Sequence, residues 1–155
     1  MGSEIMMTLP EKNALVRGYP ALFALEVAGA IIILWHGVPI YRRLLEGAFV
    51  QGTDLAVIAW AIVGSLLIQI PYWISTLKVF RLLAVPRHIF AGHALMFLAR
   101  LNFVFVGGLF SAVVIVRTAD LEFVAWRAAL LGGVLFSMFC FSIELERLGQ
   151  RLLDG

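Results

Sequence analysis

Ile89–Arg117 reads IFAGHALMFLARLNFVFVGGLFSAVVIVR, long enough to cross a bilayer as a helix, with Arg100 and Asn102 near its middle. A charge at that depth is costly unless something answers it. The other apolar stretches must therefore supply a partner or line a wet cavity.

Three further stretches have the same character. Residues 19–41 run YPALFALEVAGAIIILWHGVPIY, with Glu26 well inside, His36 toward the far end, and Arg42 and Arg43 closing the segment. Residues 55–77 run LAVIAWAIVGSLLIQIPYWISTL, with Gln69 and Pro71 as irregular features and Asp54 placed as a cap after the turn residues Gly52 and Thr53. Residues 123–145 hold Arg127 near one boundary and Glu144 near the other. Trp35, Trp60, Trp73 and Trp126 lie mostly toward span ends, where interfacial anchoring places them.

Composition agrees. The 155 residues are 62% hydrophobic and 14% charged, far from the balance of a soluble domain. The fold expected is all-α: one polytopic membrane domain over 1–155, with four transmembrane helices in an antiparallel bundle. A charged tail follows at 146–155. Within 1–18, Thr8 and Glu11 have capping-box spacing, so a short interfacial helix is expected from about Leu9 to Arg17, ended by Gly18. Met6 rules out a myristoylation signal, and the first apolar run is too long for a cleavable signal peptide, so it reads as a retained span.

Four spans put both termini on one side. Lys12, Arg17, Lys78, Arg81, Arg87, Arg147 and Arg151 lie on the terminal side, against Arg42, Arg43, Arg117 and Arg127 on the other. Seven against four places the termini in the cytoplasm of a multi-pass protein, on this reading of a bacterial inner membrane. The net charge of +2 is too small and dispersed for nucleic acid. The single cysteine, Cys140, excludes an intramolecular disulfide and any cysteine-based metal motif.

Depth along each helix orders the polar residues. With spans centred near Ile31, Leu66, Val104 and Val134, Glu26 and Arg100 fall about 6 to 8 Å to the terminal side of the midplane, at roughly 1.5 Å per residue. Gln69 and Ser137 fall about 4 to 5 Å to that side, with Asn102 close by. This defines a polar layer of Glu26, Gln69, Arg100, Asn102 and Ser137. Arg100 is expected to pair with Glu26, its planar fork bonding a carboxylate and a side-chain amide together.

Arg81, Arg87, His88 and His93 form a basic rim with the chemistry for a lipid phosphate or a quinone headgroup. No cofactor is expected. A haem between His36 and His93 of one chain is not expected, because the two lie on opposite sides of the midplane, roughly 20 Å or more apart. Small residues at four-residue spacing, Ala129, Gly133 and Ser137 in the fourth span and Gly107, Gly108, Ser111 and Ala112 in the third, mark expected packing faces. No phosphate loop, zinc motif, aspartate pair or Ser-His pair at matching depth is present.

The function expected first is an integral subunit or assembly factor of a larger respiratory, photosynthetic or transport complex, with the bilayer and membrane proteins, or further copies of itself, as partners. A second reading rests on ALEVAGA, residues 24–30, which is similar to the acidic first-helix motif of small multidrug-resistance transporters. That resemblance implies a homo-oligomeric transporter whose Glu26 alternates between a proton and a cationic drug. A Glu26–Arg100 pair would oppose it, by committing the carboxylate to an ion pair. Lipid or quinone binding at the basic rim is the third reading.

Overall fold

The computed structural model describes residues 9–46, 55–77, 87–117 and 125–154, which form four helices: α1 (Leu9–Leu45), α2 (Leu55–Leu77), α3 (Ile89–Arg117) and α4 (Ala125–Asp154). All four contain a segment long and apolar enough to cross a membrane: Tyr19–Ile40, Leu55–Leu77, Ile89–Gly108 and Ala129–Asp154. The expected cap at Gly52–Asp54, the turn at Thr118–Glu122, the connector residues Lys78 and Arg81, and the side chains of Lys12, Arg17, Ala112, Arg117 and Arg127 lie outside the described residues.

Two helices are longer than their composition suggests. Gly18 does not end a separate interfacial helix, since α1 runs unbroken through Gly18 and Pro20. One glycine costs a helix only about 1 kcal/mol, too little to stop a segment with good formers on both sides. The charged tail is likewise helical, as the last turns of α4. Its residues pack against the start of α3, where the backbone N–H of His88 donates to the carbonyl of Leu152 at 2.9 Å.

The contacts fix which helices are neighbours. Gly29 meets Gly64, and the His36 ring stacks on Trp60 at 5.5 Å, so α1 and α2 run in opposite directions. Gly92 meets Gly149, and Phe103 lies 5.0 Å from Phe139, so α3 and α4 also run in opposite directions. Gln69 reaches Ser137, and Thr76 reaches Arg147, so α2 and α4 run the same way. The main packing joins α3 to α4, α4 to α2, and α2 to α1, with a smaller contact between α1 and α4. Thus α4 stands between α3 and the α1–α2 pair.

The side-chain distribution is inverted relative to a water-soluble protein. Glu26, Ser137, Ser142 and Glu144 are buried, while Trp35, Phe90, Phe97, Phe103 and Val104 are well exposed. The buried apolar set is compact, centred on Ile68, Met138, Val106, Ala99 and Ala30. An outer surface of large apolar groups is compatible with lipid contact and exceeds what soluble proteins leave to water.

The glycines that permit close approach are not the expected ones. A Cβ added to Gly107, Gly108 or Gly133 would meet nothing within 4 Å. A Cβ at Gly29 would lie 2.6 Å from the carbonyl oxygen of Gly64, and one at Gly92 would lie 2.9 Å from that of Gly149. The two tight seams are therefore single glycine pairs, one in each antiparallel pair of helices. Gly29→Ala is expected to lower stability by about 1–3 kcal/mol, because neither backbone can yield locally. Gly37→Ala, in open space, is the control and should be neutral or slightly stabilising. Unfolding midpoints in mixed detergent micelles would compare them, and equal effects would exclude Gly29 as the seam.

Candidate functional site

Tyr19 and Glu26 are seven residues apart on α1, so they share one face two turns apart. On α4, Cys140, Glu144 and Arg147 stand at helical spacings of four and three and share a face likewise. Tyr72 and Thr76 supply the third wall from α2. These three faces enclose a buried acidic site.

Glu144 is only 3% exposed and accepts a hydrogen bond from the Tyr19 hydroxyl, Oη to Oε1, at 2.9 Å. Its other oxygen lies 3.5 Å from Nη1 of Arg147, a long ion pair whose guanidinium side chain is 42% exposed. The same Nη1 donates to Thr76 Oγ1 at 3.4 Å, and the guanidinium sits 5.7 Å from the centre of the Tyr72 ring. Arg147 is thus shared among three partners at the mouth of the site.

Glu26 is 1% exposed, and its Oε2 has no hydrogen-bond partner among the described residues. The charged groups acting on it are Glu144 and Arg147. Cys140, buried beside them, feels the charge of Glu26 and Arg147 in turn. Both carboxylates lie within reach of the partly exposed Arg147 guanidinium, and Arg151 acts on Tyr19 from the same helix. In a low-dielectric site, a carboxylate without an ion-pair partner of its own is stabilised by a proton or a bound cation.

The expected Glu26–Arg100 pair does not form. Arg100 is exposed on α3 and makes no ion pair among the described residues. The reason is helix order: α3 packs on α4, and α4 separates it from α1. Ala99, next in sequence, is the residue buried in the α3–α4 seam, so Arg100 is rotated about 100° away from it.

The other members of the layer are divided between two links, both ending on α4. Gln69 Nε2 donates to Ser137 Oγ at 3.2 Å, while its Oε1 accepts from Trp73 Nε1 at 2.9 Å. Ser137 in turn donates to the carbonyl of Gly133 at 2.8 Å. Asn102 Nδ2 donates to Ser142 Oγ at 2.7 Å and to the carbonyl of Met138 at 3.2 Å. Neither amide touches Arg100.

On the basic rim, Arg87, His88 and His93 are exposed, and Arg81 lies outside the described residues. His36 sits elsewhere, its Nδ1 donating to the carbonyl of Ile32 at 2.9 Å. Among the described residues, no three His, Cys, Asp or Glu side chains are grouped closely enough to hold a metal ion.

Sequence reasoning passed over Tyr19, Glu144 and Arg147 because each sits near a span end, where an aromatic or a charge has an ordinary interfacial explanation. The available signal was the spacing: a tyrosine seven before a glutamate inside an apolar stretch, and a Glu–Arg pair three apart on the helix running the other way. No family model, curated protein or solved structure matches the chain.

Tyr19→Phe removes the hydroxyl donated to Glu144 and keeps the ring that stacks on Phe23 at 6.3 Å. It is expected to cost about 1–3 kcal/mol, as the loss of a buried hydrogen bond to a carboxylate. Ser111→Ala, which removes only an exposed bond to its own helix, should cost much less. The same micelle unfolding assay reads both, and a Tyr19→Phe midpoint equal to wild type would show that the hydroxyl is dispensable.

Proposed function

We propose that this chain is a multi-pass membrane protein, its helices inserted as an antiparallel bundle with both termini in the cytoplasm, that takes up a proton or a small cation at the Glu26–Glu144 pair. The observation that carries this reading is the unpartnered Oε2 of a fully buried Glu26, with a second buried carboxylate close enough to act on it. An arginine clamp at Glu26 would have opposed exchange, and Arg100 does not provide one. The ALEVAGA similarity points to the same residue.

In this reading Tyr19 orients Glu144, and Arg147 holds it from the mouth while remaining partly exposed. Glu26, deeper along α1, is the binding group. Proton and cation compete for the Glu26 carboxylate, which is the elementary requirement for coupling the movement of one to the other. The route in is from the terminal side, past Arg147. As a carrier, the protein would work as an oligomer.

A second reading, an integral subunit or assembly factor of a larger membrane complex, draws on the outward-facing Arg100. A mid-span charge with no ion pair among the described residues of its own chain calls for a partner outside it.

In proteoliposomes, tetraphenylphosphonium and a panel of monovalent metal cations would be tested for proton release on binding. Wild type is expected to release protons with at least one of them, and Glu26→Gln is expected to be silent while retaining its fold. Glu144→Gln should weaken the response. Release undiminished in Glu26→Gln, or none from wild type across the panel, would sink the proposal.

A further inference from the structure

Arg100 lies on one exposed face of the α3–α4 pair together with two carboxylates of α4, Glu146 and, far from it at the helix end, Asp154. Phe103 of α3 meets Phe139 of α4, and Asn102 meets Ser142, which orients both helices about their common seam. Turning from that seam at 100° per residue, Arg100, His93 and Gly107 of α3 come to the same side as Glu146, Ile143, Phe136 and Gly132 of α4. Arg100, His93, Glu146, Ile143, Phe136 and Gly132 are all exposed.

We infer that this face is the interface between two copies of the chain, related by a two-fold axis along the membrane normal, with Arg100 of each copy paired to Glu146 of the other. The inference rests on the membrane-spanning reading and is independent of the carboxylate site. Charge complementarity selects the occupant. A lone mid-span arginine facing hydrocarbon is costly, and the same face carries the carboxylate that would answer it. A two-fold contact brings each patch against its own copy, so one Arg and one Glu per chain give two ion pairs.

Depth agrees with this pairing. Gly92 faces Gly149, so Glu146 stands level with Leu95, about five residues or roughly 8 Å along the axis from Arg100. Side chains lean toward the N-terminus of their own helix. Because α3 and α4 run in opposite directions, Arg100 leans toward the level of Glu146, and Glu146 leans toward that of Arg100. Gly107 and Gly132, with nothing within 4 Å of an added Cβ, leave room on the same face for another helix backbone to approach.

The test uses the full chain in mild detergent and in nanodiscs, with oligomeric state read by light scattering and by subunit counting. Wild type should be dimeric. Arg100→Glu and Glu146→Arg should each be largely monomeric, because each sets like charges against one another across the axis. Co-expressed with different tags, these two variants should recover a mixed dimer, since their charges are complementary between chains but not within either one. If either variant fails to fold, oxidative cross-linking of Ile143→Cys on an otherwise wild-type chain reads the same interface.

A monomeric wild type, single variants that dimerise as well as wild type, a mixed pair that does not associate, or an Ile143→Cys chain that does not cross-link would each overturn the inference. So would an anionic lipid or a different protein retained by wild type and lost in Arg100→Leu with no change in oligomeric state. None of these readouts requires transport, so failure here is distinguishable from failure of the carboxylate site.

Discussion

A polar side chain removed from water is costly unless it finds a partner, and among the described residues every side-chain hydrogen bond between helices has one end on α4. Ser137 takes Gln69 from α2, Ser142 takes Asn102 from α3, and Glu144 takes Tyr19 from α1. Each bond is worth about 1 kcal/mol net, but leaving its groups unpaired costs more. The placement of the other helices around α4 follows from that penalty. A rotation of α4 that shifted its serines out of reach would strand an amide on each of two neighbours.

The two charges that stand out within the apolar stretches of the sequence have opposite fates. Glu26 is wholly enclosed and lacks a hydrogen-bond partner for one oxygen, whereas Arg100 faces away from the protein. Neither answers the other. This separation is the ground of both proposals: a small ligand at the enclosed carboxylate, and a second protein surface at the outward guanidinium. Had they paired, the fold would have been electrically self-contained at this level.

What the sequence made legible was position along the helix axes. Gln69 and Ser137, assigned one depth from their spacing alone, lie within hydrogen-bond distance, because the rise per residue is nearly constant and the spans are bounded by their own composition. What it left hidden was helix order and rotation. Arg100 and Glu26 were assigned a common depth as well, yet α4 intervenes between their helices. The packing glycines were obscured for a related reason: Gly107 and Gly133 have the familiar four-residue spacing, while Gly29 and Gly64 are solitary, and only the pairing of α1 with α2 brings them together. Tyr19 and Glu144 needed the same knowledge of neighbours.

The glycine seams also have a mechanical side. Gly29 meets Gly64 near the middle of both helices, and large side chains close over each glycine: Ile68 and Leu67 over Gly29, Ile33 over Gly64. Each missing side chain is thus a socket for the other helix. On one side of this seam lies the stack of His36 on Trp60, and on the other the bond from Tyr19 to Glu144. Helix α1 is thus held at three points, twice by α2 and once by α4. Glu26 lies between the glycine seam and the bond to Glu144, so its enclosed carboxylate is fixed from both neighbouring helices at once.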